Sequence, residues 1–123
     1  MPTKVLNRQS FLQLVSVADH DMRTALIYQL AQDLQRCHDM LREEYENLIS
    51  HKSQSLAETR RATHEMKGLA STLEVESLAR ACVEIEGFCD HADFNALTQK
   101  LPQALSVNQQ LRAEILSMVD HAA

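Results

Sequence analysis

Apolar residues recur at steps of three and four positions along four stretches of the chain, the spacing that places them on one face of an α-helix. The stretches cover about residues 21–51, 56–73, 75–89 and 94 to near the C-terminus. A short break at residues 51–55 separates the first stretch from the second, and the other connections are equally brief. The pattern therefore predicts four amphipathic helices.

The apolar stripes of these helices define the expected core. Its members are Ile27, Leu30, Leu34, Cys37, Leu41 and Leu48, then Leu56, Thr59, Thr63, Met66, Ala70 and Leu73, then Leu78, Cys82, Ile85 and Cys89, and finally Phe94, Leu97, Leu101, Leu111, Ile115 and Met118. Ser55 and Glu58 have the spacing of a capping box, which predicts that the second helix starts at Ser55. Pro102 is expected to interrupt the fourth helix.

Four amphipathic helices with short connections predict an all-α fold, an up-down antiparallel four-helix bundle. A short additional helix at about residues 9–17 is expected to cap it, and residues 1–123 are expected to form a single domain. Composition supports helices over sheets, because the chain has only two glycines, two prolines and 4% aromatic residues.

Charge and cysteine content narrow the function classes. The formal net charge is −5, so the chain is a poor general ligand for nucleic acid, whose phosphates need clustered Lys and Arg. No run of 18 apolar residues predicts a membrane span, and the N-terminal residues lack the apolar core of a signal peptide. Cys37, Cys82 and Cys89 form no Cys-x-x-Cys pair, which suits reduced thiols in a cytoplasmic protein.

The second predicted helix carries an unusual outer face. At 100° per residue, His64 and five other residues share a face about 60° to either side of His64. The centre of the core stripe lies roughly 130° away from His64. With His64 included, they are Arg60, Arg61, His64, Lys67, Gly68 and Ser71. His64 should therefore point outward, amid positive charge. A glycine in mid-helix costs about 1 kcal/mol relative to alanine, and close approach of another molecule to this face would explain Gly68.

These groups suit one kind of chemistry. A neutral imidazole is a good nucleophile near pH 7, and phosphoryl transfer needs mainly positioning and charge stabilisation. Lys67 adds an ammonium group suited to an anion of phosphate type. A surface histidine on a helix is usually only a solvated polar residue, but the neighbouring Lys67-Gly68 pair favours a functional role for His64.

The sequence His64-Glu-Met-Lys67-Gly68-Leu-Ala-Ser-Thr-Leu73 resembles the signature of histidine phosphotransfer (HPt) proteins, and the run that starts at Val75 resembles the family's next helix. The resemblance implies that His64 accepts a phosphoryl group from the aspartyl phosphate of a response-regulator receiver domain and passes it to another receiver. It also implies that Lys67 holds phosphoryl oxygens, that Gly68 lets the receiver dock closely, and that Glu86 hydrogen-bonds the other ring nitrogen. The competing interpretation of Glu86 is a solvated edge residue.

The resemblance implies further properties of the whole chain. It would be a monomeric phosphoryl carrier without a cofactor, with Mg²⁺ belonging to the receiver, and a receiver within a hybrid sensor kinase is among the candidate partners. No glycine-rich nucleotide-binding segment is present, so no ATP-dependent kinase activity is expected. Docking is expected on Arg60, Arg61, Gly68, Leu69 and Ser71.

One position departs from the family pattern. Glu74 stands where these proteins usually have a glycine at the helix end, so the helix is expected to end differently or to run on by another turn.

Three alternatives stay open at the level of sequence. A sensor-kinase phosphoacceptor hairpin fits His64-Glu65 but fits Lys67-Gly68 poorly. A helical adaptor would use the same face without phosphoryl chemistry. A metal-binding bundle would use residues of the third helix and the connection after it, namely Cys82, Glu86, Cys89 and His91; core packing is the better explanation for the two cysteines.

Overall fold

A computed structural model describes residues 4–16, 19–52 and 55–119 of the chain. These ranges contain five α-helices and no strand. The helices are α1 (Arg8–Val15), α2 (His20–Ile49), α3 (Ala57–Thr72), α4 (Glu76–Asp90) and α5 (Phe94–Ser117). The all-α prediction is confirmed, and each predicted stretch corresponds to one helix. The predicted end of the first short helix, at residue 17, lies outside the described residues.

The four long helices pack in a closed ring. α2 contacts α3 and α5, and α4 contacts the same two helices. α1 lies over the connection between α3 and α4, where Phe11 and Leu14 approach Leu73 and Glu74. The N-terminal segment is attached to α5, because the backbone N–H groups of Val5 and Leu6 each donate to the Glu114 carboxylate at 3.1 Å.

The predicted stripes form one buried core with two exceptions. Leu56 is only partly buried, and Phe94 is 48% exposed, so its assignment to the core is wrong. Phe94 is the first residue of α5 and lies at one end of the bundle beside Leu48 and His51, where no further helix covers it in the described ranges. The stripes also missed Asn108, which is fully buried on α5.

Helix starts follow side-chain capping at α1, α2 and α5. Asn7, Asp19 and Asp93 each accept a hydrogen bond from the backbone N–H three residues on. The predicted start of α3 at Ser55 is wrong: α3 begins at Ala57, and Leu56 is its N-cap. The Ser55 hydroxyl instead accepts a hydrogen bond from the Ala57 N–H at 3.2 Å.

The expected interruption at Pro102 is also wrong, because α5 runs through it without a break. Proline removes one backbone hydrogen bond and crowds the preceding turn. Here its ring is exposed, while Leu101 and Ala104 on either side are fully buried. The buried face of α5 therefore holds the helix together across the proline.

Three helices end in the same way, with a left-handed residue that is not glycine. These residues are His51 (φ 57°) after α2, Glu74 (φ 57°) after α3 and Ala92 (φ 49°) after α4. After α3, the Glu74 N–H donates to Ser71 O and the Val75 N–H donates to Ala70 O, the paired bonds of a Schellman motif. α3 thus ends where a glycine would end it, and Glu74 adopts the conformation that glycine favours.

All three cysteines are buried and free of disulfide bonds. Burial raises the pKa of Cys37 and Cys89 to about 11 and that of Cys82 to about 12. Thiols with such pKa values are poor nucleophiles, so these side chains act as small core residues. Within the described ranges, no helix is both long enough and apolar enough to cross a membrane.

Candidate functional site

His64 lies on the outer side of α3, with 67% of its side chain exposed. Its position follows from the residues that anchor α3 to the core. Thr63 and Met66 are fully buried, and Met66 Sδ lies 3.3 Å from Asn108 Nδ2 on α5. His64 lies between them in sequence but on the opposite side of the helix, at the surface beside Glu86 of α4. The sequence-predicted outward orientation agrees with this exposure.

Glu86 on α4 is the carboxylate next to His64. Its side chain is only 11% exposed, and its Oε2 lies 3.8 Å from His64 Nδ1. The interpretation of Glu86 as a solvated edge residue is therefore wrong. The separation exceeds hydrogen-bond length, so in this arrangement the two groups interact by charge when the ring is protonated.

Lys67 is bound to Glu86 rather than free beside His64. Its Nζ lies 2.7 Å from Glu86 Oε1, and its side chain is 30% exposed. A partly buried carboxylate is costly to leave without a cation, so this contact compensates the charge of Glu86. Spacing along α3 alone placed Lys67 near His64, but it could not show the competing partner on α4.

Arg60 also turns towards α4. Its Nε donates a hydrogen bond of 2.8 Å to Asp90 Oδ1, and its Nη2 lies 3.9 Å from Glu86 Oε2. The hydrogen bond from Arg60 lowers the pKa of Asp90 below its ordinary value, and the same bond raises the pKa of Arg60. Arg60, Lys67, Glu86 and Asp90 together form what we call the ionic seam between α3 and α4.

The expected surplus of positive charge around His64 is therefore wrong. Arg61 pairs with Glu58 one turn earlier on α3, just as Arg60 and Lys67 pair with acids of α4. Each cation predicted from the helical wheel thus has a carboxylate partner. An incoming anion would have to compete with these carboxylates rather than meet unpaired positive charge.

Gly68 has open space where a side chain would begin. An ideal Cβ built on it would meet nothing within 4 Å outside its own helix, so packing inside the protein does not require a glycine there. Leu69 is partly buried and Ser71 is exposed. Gly68 and Leu69 line a shallow groove between α2 and α3, together with Asp33, Arg36, Glu65 and Thr72.

Sequence analysis missed two contributors to this region. Asp90 lies one turn beyond Glu86 on α4, and an antiparallel partner helix would bring that position opposite Arg60. Arg36 on α2 lies 3.6 Å from Glu65, the residue after His64. The i, i+4 spacing of Glu86 and Asp90 was the available signal for the first, whereas nothing in the sequence indicated the second.

The site offers a nucleophile, cations and an open approach. In the part of the chain that the structure describes, no group of three or more His, Cys, Asp or Glu side chains could hold a metal ion. The alternative set Cys82, Glu86, Cys89 and His91 is thus not assembled, since His91 Nδ1 lies 2.9 Å from Gly87 O in the last turn of α4.

Comparison with known proteins gives one match. The family model described as Hpt domain matches residues 21–122, a range that includes α2 except for its first residue, all of α3 to α5 and the whole site. No curated protein and no solved structure matches the chain.

Proposed function

Since the chain belongs to the Hpt domain family, whose members act in phosphotransfer within two-component phosphorelays and interact with receiver domains, we propose that it carries a phosphoryl group on His64. The group would come from the aspartyl phosphate of one receiver and pass to the aspartate of another. The observation that carries the proposal is the exposed His64 ring beside the mostly buried carboxylate of Glu86. We further propose the up-down antiparallel arrangement of α2 to α5 and a monomeric state.

The chemistry needs few groups from this chain. The lone pair of His64 Nε2 forms the new N–P bond while the P–O bond to the receiver aspartate breaks, and that electron pair stays on the aspartate carboxylate. Nδ1 keeps its proton, so the imidazole ring gains positive charge during transfer. Any Mg²⁺ belongs to the receiver and would neutralise charge on the phosphoryl oxygens.

Glu86 would stabilise the ring through Nδ1. A carboxylate 3.8 Å from that nitrogen favours the tautomer with its proton on Nδ1, which leaves the Nε2 lone pair for attack. It also offsets the positive charge that the ring gains. A small rotation of the exposed His64 side chain would shorten the contact to a hydrogen bond.

Lys67 and Gly68 would serve the phosphoryl group and the partner. Lys67 is one turn from His64 and would hold phosphoryl oxygens, and the open space at Gly68 would let the receiver approach closely. The proposed docking surface comprises Arg60, Arg61, Gly68, Leu69 and Ser71.

The test is transfer from a panel of phosphorylated receiver domains to the native chain and to His64→Gln. The proposal expects an acid-labile, base-stable label on the native chain and none on the variant. His38→Gln is a matched control. His38 lies on α2 beside Asp39, outside the site on α3 and α4, so this variant should keep full labelling. A folded native chain that no receiver labels would instead favour a binding adaptor that uses the same face.

A further inference from the structure

Glu86 lies within reach of two cations, and it contacts them unequally. Lys67 Nζ is in direct contact with Oε1 at 2.7 Å, whereas Arg60 Nη2 stops 3.9 Å from Oε2. Asp90 accounts for the longer distance, because it accepts the Arg60 Nε–H at 2.8 Å and is itself half-exposed. Asp90 therefore holds Arg60 near Glu86, although Arg60 forms no hydrogen bond with Glu86.

The proposed function places two demands on Lys67. Nδ1 is the ring nitrogen near Glu86, so a phosphoryl group on Nε2 would lie on the other edge of the imidazole ring. Lys67 now sits against Glu86, and to hold phosphoryl oxygens it must move away from that carboxylate. Its departure would leave a mostly buried carboxylate without its nearest cation, which is strongly unfavourable.

We propose that Arg60 is a positioning residue, the replacement counter-ion that closes on Glu86 when Lys67 leaves to bind the phosphoryl group. The inference rests on the proposed function and gives Arg60 a role different from docking. Asp90 keeps the guanidinium aligned along α4, so a short side-chain movement brings Nη2 onto Oε2. His64 is thereby phosphorylated without leaving Glu86 uncompensated.

A small phosphodonor separates this role from docking. Phosphoramidate transfers its phosphoryl group as its P–N bond breaks and ammonia leaves, while the new N–P bond forms on His64. No protein surface is involved, so a residue that only docks a receiver has no effect. The rate of labelling is measured against phosphoramidate concentration for the full-length chain, which gives a maximal rate and a half-saturating concentration.

Arg60→Gln should lower the maximal rate by about tenfold or more and change the half-saturating concentration by less than about twofold. Arg60→Lys, which keeps a cation, should recover most of the rate. Arg80→Gln removes the same charge from an i, i+4 pair with Glu76 on α4 and should leave both parameters unchanged. Thermal unfolding checks that each variant is folded.

The second step removes the charge that Arg60 is proposed to compensate. In a Glu86→Gln background, a neutral amide needs no counter-ion, so adding Arg60→Gln should change the maximal rate by less than about twofold. A normal maximal rate in Arg60→Gln, or an effect that persists undiminished with Glu86→Gln, overturns the inference alone. A native chain labelled by neither phosphoramidate nor any receiver overturns the proposed function and the inference with it.

Discussion

The α2–α5 contact and the ionic seam between α3 and α4 both contain a buried polar side chain, and they treat it differently. On α5, the fully buried Asn108 donates from Nδ2 to the backbone carbonyl of Leu34 on α2 at 3.1 Å and to Met66 Sδ at 3.3 Å. In the ionic seam, the carboxylate of the mostly buried Glu86 lies 2.7 Å from Lys67 Nζ and 3.9 Å from Arg60 Nη2, both of which are side-chain atoms.

The difference lies in how freely the partners can move. A backbone carbonyl within a packed helix has one position, so Asn108 fixes how α5 sits on α2. Lys67 and Arg60 have long flexible stems and partly exposed head groups, so the partners of Glu86 can exchange. The α2–α5 contact around Asn108, which we call the rigid region, therefore fixes the helices in place. The ionic seam supplies the alternative ion pairs that the proposed phosphoryl transfer uses.

The largest expected effect is on stability at the rigid region. Asn108→Ala removes three hydrogen bonds, two that Asn108 donates and one that its Oδ1 accepts from Gln109, and it leaves a cavity. The free energy of unfolding should therefore fall by about 2–3 kcal/mol. Phosphorylation of the remaining folded protein by phosphoramidate should keep its native rate. Urea unfolding followed by circular dichroism measures the first quantity, and labelling under native conditions measures the second.

Asn95→Ala is the matched control, because Asn95 is exposed on the same helix and should change the free energy of unfolding by no more than about 0.5 kcal/mol. Equal losses in the two variants would show that Asn108 has no special role. A large loss of labelling rate in folded Asn108→Ala would show that the rigid region and the ionic seam are not separate.

The turn that links α4 to α5 gives a sharper test, because it joins the two regions without belonging to either. Ala92 adopts φ 49°, a conformation that costs an L-residue about 1–2 kcal/mol and glycine very little. Ala92→Gly should therefore raise the free energy of unfolding by about 1 kcal/mol, less the entropy that glycine adds to the unfolded chain. The rate of labelling at His64 should not change.

The same substitution should have the opposite sign inside a helix. Ala113 is exposed in the interior of α5, and Ala113→Gly should lower the free energy of unfolding by about 0.5–1 kcal/mol. If both glycine variants destabilise the protein, the left-handed conformation at Ala92 is not the controlling factor.

Much of the rigid region could be predicted from sequence, because burial on one face of a helix leaves a periodic signal. That signal identified the apolar stripes of α2 to α5 but failed at Phe94. Phe94 is the first residue of α5 and lies at the end of the bundle, where it is not covered by the neighbouring helices that the structure describes. It also missed Asn108. A polar amide is not expected in a core from sequence alone, and its burial is explained only by the hydrogen bond that it donates to Leu34 O.

The site was less predictable, for a physical reason. Spacing along α3 placed Lys67, Gly68 and His64 on one surface, because residues three and four apart on a helix are neighbours. The carboxylate partners of Arg60 and Lys67 lie on α4, and pairing across helices depends on register and rotamers that spacing does not contain. Arg61 pairs within α3, with Glu58. The predicted positive surface is for this reason a set of ion pairs.

The smallest expected effect is a difference in how the stability contributions of the two regions depend on pH. The hydrogen bond from Arg60 lowers the pKa of Asp90 in the folded protein below its ordinary value of about 3.9. A carboxylate with a lowered folded-state pKa stabilises the protein above its unfolded pKa, and this contribution is lost as pH falls through the folded-state pKa. Asp90→Asn should therefore be slightly less stable than the native chain at neutral pH, and the difference should vanish in acid.

Unfolding by urea at a series of pH values from neutral to below 3 measures this difference, and Asn108 supplies the contrast. Its hydrogen bonds involve no titrating group, so the destabilisation by Asn108→Ala should stay constant over the same range. In an Arg60→Gln background, Asp90→Asn should lose most of its pH-dependent effect, because Arg60 is the main group that lowers the pKa of Asp90 and His91 contributes less. If the pH-dependent stability difference is undiminished without Arg60, another group keeps Asp90 ionised, and Arg60 is not its main partner in the ionic seam.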